Sequence, residues 1–164
     1  MKDKFIRKKE KEISFFARAK VNLYLEVLKK MENGFHNIDS LVCFPDIGDH
    51  ITFKKSKNLS LSISGDFSDK INKGEDNLII KAAKLMLLPN EGLEIHLTKN
   101  LPISSGIGGG SSNAAVTLIA ISKLFCRKIP SNDKIFEIGS DTLVCLNQTF
   151  QRVQGKGEFI SKFN

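Results

Sequence analysis

The sequence contains no tryptophan, a single tyrosine (Tyr24), four prolines and three cysteines. So little Trp and Tyr leaves few platforms on which bases could stack, which speaks against a nucleic-acid binder. Cys43, Cys126 and Cys145 are far apart and odd in number. That excludes a disulfide framework and a zinc site, and fits a reducing, cytoplasmic setting. Long apolar runs are absent too: Ile13–Phe16 and Leu85–Leu88 fall far short of the roughly 20 residues of a membrane span, so no membrane partner is expected. Met1–Glu12 is charged without an apolar stretch, which excludes a secretory signal. Neither an internal repeat nor a linker-like segment occurs.

Positive charge is in excess, at +7. Much of it is local, because Lys2, Lys4, Arg7, Lys8, Lys9 and Lys11 face only Asp3, Glu10 and Glu12. Such a segment reads as a solvated basic tail over residues 1–12. The remaining lysines are scattered and suit an anionic nucleotide as well as RNA. At 164 residues, with 41% hydrophobic residues and a mean hydropathy of −0.14, the chain is long enough for one domain with its own core.

The densest information lies in Leu101–Ala115, where Gly106, Gly108, Gly109 and Gly110 precede Ser111, Ser112 and Asn113. Clustered glycines let the backbone approach a ligand closely. The preceding Leu93, Ile95 and Leu97 alternate with polar residues as in a half-buried strand, and an apolar helical run follows. Strand, glycine turn and helix N-terminus together suit phosphate. Two familiar phosphate loops are excluded: no Lys follows Gly110, as a Walker loop needs, and Ser111 stands where G-x-G-x-x-G needs its last glycine.

Along the chain, Ile13–Val27 predicts a strand pair or one long strand, interrupted at Arg18–Ala19–Lys20. Asn33–Gly34 marks a turn. Further strands are expected at Ile38–Phe44, Asp49–Phe53, Leu59–Ile63, Leu93–Leu97, Leu143–Leu146 and Phe150–Val153. Helices are expected at Asp76–Leu88, Ser112–Phe125 and Ser131–Ile138. The fold class is α+β: a mixed, antiparallel-leaning sheet with helices packed on one side and a glycine-rich phosphate loop at a helix N-terminus.

Three segments together resemble the GHMP kinases. Ala17–Arg18–Ala19–Lys20–Val21–Asn22–Leu23–Tyr24–Leu25, followed by Asn33–Gly34–Phe35–His36, is similar to an opening motif A-K-x-N-L-x-L…D-G-Y-H. Gly74–Glu75–Asp76–Asn77–Leu78 resembles an E-D-N-L segment at a helix start, and Leu101–Ala115 resembles the family's ATP loop. The likeness runs from about Ser14 to Glu158. It implies ATP-dependent phosphorylation of a small molecule, with ATP and Mg²⁺ required. The Lys20, Asn22 and Gly34–Phe35–His36 combination implies the branch that acts on the methylerythritol hydroxyl of a cytidine diphosphate conjugate, in isoprenoid precursor biosynthesis.

Roles implied by the resemblance are these. Pro102, Ile103, Ser104, Ser105, Gly106, Ile107, Gly108, Gly109, Gly110, Ser111 and Ser112 wrap the ATP phosphates, with Asp76 and Asn77 near the nucleoside. Asn77 reads equally as a helix N-cap. Asp141 is the base for the acceptor hydroxyl, and Lys20 holds both. Gly139–Ser140–Asp141 is also ordinary turn chemistry, so both readings of Asp141 stand. Asn22, Phe35 and His36 bind substrate, Phe35 by stacking on cytosine and His36 at the base edge. Mg²⁺ is held by phosphates and water, with no protein metal site.

Three departures from the family pattern bear on activity. Thr142–Leu143 replaces Val-Pro after Asp141, Asn147–Gln148 replaces a glycine pair, and the helix before Asp141 is about one turn short, which predicts a shift of about 5 Å along its axis. The family also has a second domain that completes the cleft. Residues 13–164 are therefore expected to be the N-terminal domain alone, with self-association or pairing with the missing C-terminal half as a consequence. The rival readings are a non-catalytic remnant that at most binds nucleotide, and an RNA-associated basic domain.

Overall fold

The computed structural model describes residues 12–30, 34, 36–69 and 71–162. The basic tail expected at residues 1–12 lies outside these residues up to position 11, and Glu12 opens the first strand. Phe35 also lies outside them.

Among the described residues eight strands form: β1 (Glu12–Arg18), β2 (Val21–Lys30), β3 (His36–Cys43), β4 (Gly48–Ser56), β5 (Ser60–Ser64), β6 (Gly92–Thr98), β7 (Gln151–Gly155) and β8 (Phe159–Lys162). The same residues form three α-helices, α1 (Leu78–Met86), α2 (Gly109–Phe125) and α3 (Asn132–Ile138), and a 3-10 helix, Val144–Asn147. The α+β class with mixed and antiparallel pairing holds, but the strands divide between two four-stranded sheets. The first has the order β1-β4-β6-β5, with β5 parallel to β6; the second has the order β2-β3-β7-β8 and is antiparallel throughout.

Period-2 patterning builds the first sheet. Ile51, Phe53, Leu93, Ile95 and Leu97 turn to one face and are fully buried there. Against them lie Ile79, Ala82 and Ala83 of α1 and Ala114, Leu118 and Ile121 of α2. Each large side chain among them contributes roughly 1.5–3 kcal/mol by leaving water. Helix α2 is buried almost all round, so it shows little amphipathic periodicity; its alanines let neighbouring backbones come close.

The strand pair expected over Ile13–Val27 is corrected. β1 and β2 do not pair with each other: β1 joins β4, and β2 joins β3. The chain steps between sheets at Ala19–Lys20, where Ala19 N–H donates to the Ile47 carbonyl and Lys20 N–H to the Ile107 carbonyl, both at 2.8 Å. Lys20 thus stands at the seam. Gly48 permits this crossing, since a Cβ there would lie 2.3 Å from the Ala17 carbonyl oxygen. A second correction concerns Leu143–Leu146, expected as a strand. Val144–Asn147 is a 3-10 helix, stabilised by Leu146 N–H donating to the Leu143 carbonyl and Cys145 N–H to the Asp141 carbonyl. β8 was not anticipated. Among the described residues, no helix is long and apolar enough to cross a membrane.

Candidate active site

Two adjoining hollows hold most of the expected site residues. The larger, about 440 Å³, is lined by the loop from Pro102 through Ser111 without a gap, by Asp76 and Asn77 at the start of α1, and by Lys99 and Asn113. Helix α2 begins three residues earlier than its apolar pattern predicts, with Gly108 as N-cap at φ 64°. Ser112 N–H makes the first intrahelical bond, to the Gly108 carbonyl at 2.9 Å. The N–H groups of Gly109, Gly110 and Ser111 precede that bond, at the positive end of a 17-residue helix. Ser104 also adopts a left-handed backbone, at φ 56°, an uncommon conformation for a residue with a side chain.

Ser112 differs from the other loop residues. It is fully buried, does not line the hollow, and its Oγ accepts from Gln148 Nε2 at 3.1 Å. Asn77 lines the hollow and caps α1, its Oδ1 accepting from Ile79 N–H at 2.9 Å while its amide donates to the Asn72 carbonyl. Asp76 is exposed and pairs with Lys81.

The smaller hollow, about 170 Å³, brings together Lys20, Asn22, His36, Ser140, Asp141 and Lys156. Lys20 Nζ lies 3.1 Å from Asp141 Oδ2. The lysine side chain is 7% exposed and the aspartate 45%, so the cation is held inside while its partner carboxylate faces outward. Lys20 also donates to Asn22 Oδ1 at 3.0 Å; Asn22 Nδ2 donates to Ser40 Oγ, and Ser40 donates to the Tyr24 carbonyl. Both polar ends of Asn22 are thereby occupied in orienting Lys20. The shift expected from the short helix α3 does not separate Asp141 from Lys20. The turn lacking proline is instead fixed by Thr142 N–H donating to the Gly139 carbonyl at 2.9 Å. Beside Asp141, burial and then the carboxylate itself push the Cys145 thiol up to about 12. That direction favours the neutral thiol, the less nucleophilic form.

The hollows meet at one contact. A Cβ added at Gly108 would lie 2.9 Å from Lys20 Cβ and 3.2 Å from Lys20 Cε, so the glycine loop rests on the lysine stem. Beneath the loop, buried Asp49 accepts from four donors: Lys99 Nζ and Asn113 Nδ2 on Oδ2, and the N–H groups of Asn100 and Leu101 on Oδ1. One carboxylate therefore fastens the loop's entrance, the lysine on the wall and the second turn of α2. Asp49, Lys99, Ser40 and Lys156 escape sequence reasoning, and Asn113 and Gln148 are noted there without a contact being expected of them. A lone strand aspartate carries no pattern, although Lys99 stands two residues before the recognised loop.

Residues 77–150 match the family described as "GHMP kinases N terminal domain", covering α1, β6, the loop, α2, α3 and the 3-10 helix. Over those residues the chain is similar to the N-terminal domain of the GHMP kinases. The particular relatives are narrower. The chain is 44% identical over 146 residues to the 4-diphosphocytidyl-2-C-methyl-D-erythritol kinase of Ruegeria pomeroyi, an alignment covering 89% of this chain and 52% of the relative. It is 41% identical over 145 residues to the kinase of the same name from Cereibacter sphaeroides, covering 88% and 51%. A solved structure, that of a 4-(cytidine 5'-diphospho)-2C-methyl-D-erythritol kinase, superposes with a TM-score of 0.76 at 27% identity, over 92% of this chain and 55% of that one. The chain spans about half the length of the curated relatives it matches.

Proposed function

We propose that this chain carries the nucleotide site and the acceptor-activating pair of an ATP-dependent kinase. The acceptor is the methylerythritol hydroxyl of 4-diphosphocytidyl-2-C-methyl-D-erythritol, placing the reaction in isoprenoid precursor synthesis in the cytoplasm. The observation that carries the reading is the shared lysine. Lys20 supports the glycine loop through its stem and meets Asp141 through its ammonium, so donor and acceptor sites adjoin at one residue.

The loop fits a triphosphate: three helix-start N–H groups and close backbone approach at Gly108 are donors that need no reorganisation on binding. Among the described residues no cluster of three or more His, Cys, Asp or Glu is placed to hold a metal. Mg²⁺ carried on the phosphates suits that donor set, with Ser104 and Ser111 as the protein oxygens available to it. When bound, Mg²⁺ supplies charge neutralisation at the β- and γ-phosphates. Asp141 takes the proton of the acceptor hydroxyl. That oxygen bonds to the γ-phosphorus as the bond to the bridging oxygen breaks, and ADP leaves. Lys20 orients the carboxylate and the hydroxyl together. His36, in the smaller hollow, is available to a base edge, and Phe35, the residue before it in sequence, is the one proposed to stack on cytosine. Lys156 adds a cation suited to the diphosphate.

Release of ADP with this cytidyl substrate tests the reading. Turnover should fall about 10²–10⁴-fold in Asp141→Asn and in Lys20→Ala, while nucleotide binding persists in Asp141→Asn. Turnover indifferent to both substitutions would refute the assignment.

A further inference from the structure

Gln148 stands where the resemblance leads one to expect glycine, and it is half-buried. Its side-chain carbonyl accepts from the backbone N–H of Arg18 at 3.3 Å, and its amide donates to Ser112 Oγ at 3.1 Å. Arg18 closes β1, two residues before Lys20. Ser112 is fully buried at the start of α2 and bonded to Gly108 through its own N–H. Gln148 itself follows the 3-10 helix that begins three residues after Asp141. One side chain therefore touches the strand that delivers Lys20 and the helix that presents the glycine loop, and it extends from the segment that delivers Asp141. A glycine could make neither bond.

We infer that Gln148 is a positioning residue, which fastens the glycine loop to the Lys20–Asp141 pair before any ligand arrives. The physical consequence is preorganisation. Binding then spends less on ordering the loop, and phosphoryl donor and acceptor groups keep their spacing. The mechanical part of the inference stands on these hydrogen bonds alone; its effect on ligand rests on the nucleotide reading above.

Amide hydrogen exchange over residues 103–112 of the ligand-free protein tests the brace directly. Gln148→Leu keeps the bulk and removes both bonds. Exchange in that segment should accelerate about fivefold, the change that one ordinary net hydrogen bond makes in an equilibrium, while α1 exchanges at its former rate. Acceleration spread evenly over the molecule would mean a purely structural side chain, and no acceleration would also overturn the inference. Gln148→Glu should restore slow exchange, because a carboxylate accepts from Arg18 N–H and from the Ser112 hydroxyl. Should Gln148→Leu fail to fold, Ser112→Ala cuts the same bridge from its other end and must accelerate the same segment.

Titration with the Mg²⁺ complex of adenylyl imidodiphosphate separates the two claims. Affinity about fivefold weaker in Gln148→Leu, with no further loss when Gln148→Leu is added to Ser112→Ala, supports both. No binding by the native protein, combined with faster loop exchange in Gln148→Leu, sinks the nucleotide reading and leaves the brace standing. Tight binding unchanged by the substitution, with unchanged exchange, does the reverse.

Discussion

Thr142 Oγ1 is buried without a hydrogen-bond partner among the described residues, immediately beside Asp141. A buried hydroxyl in that state forfeits its hydration for nothing. Thr142→Val removes the hydroxyl at nearly constant shape and should raise the unfolding free energy by about 1 kcal/mol. Urea denaturation measures it; a loss of stability instead would show that the hydroxyl has a partner. Glycine density and serine placement make the loop residues legible in the sequence. Lys20 is not legible by chemistry, since a lysine between strands is ordinarily a solvated ammonium, and only its surrounding motif marks it. Asp49 is invisible for a different reason. Its four partners come from Lys99, Asn100, Leu101 and Asn113, all about fifty or more positions away, and no local pattern encodes that distance.

Among the elements, the glycine loop and α2 form one unit whose hinge point is Gly108. Its left-handed backbone and its contact with the Lys20 stem both demand the absence of a Cβ. Gly108→Ala should therefore strain the backbone by roughly 1–3 kcal/mol and push the loop off Lys20, weakening nucleotide binding. A paired measurement of thermal midpoint and ligand affinity checks this; an alanine variant that binds as well as the native chain would refute the fit. Helices α1 and α3 begin where their capping residues predict, at Asn77 and Ser131. The misread elements share one cause. β1 and β2 have equal alternation on either side of Ala19–Lys20, and whether such strands pair or part is settled by distant partners. Leu143–Leu146 is a short apolar run that periodicity cannot distinguish from a strand, and burial against the core winds it into a 3-10 turn.

In the whole molecule, two sheets meet at a seam occupied by Lys20, and the two hollows open on either side of it. The outer strand β2 bears Leu23, Leu25 and Val27 more than half exposed, along an edge that no strand among the described residues pairs with. Such an edge invites another polypeptide. At micromolar concentration the chain should self-associate through it; light scattering that finds a clean monomer would contradict this. The claim on which everything else depends is that the hollow walled by Pro102–Ser111 takes a nucleoside triphosphate. Isothermal titration of the folded chain with adenylyl imidodiphosphate and Mg²⁺ tests it most directly. The account predicts saturable one-to-one binding that Gly108→Ala weakens. Absence of binding by a protein shown to be folded would contradict it.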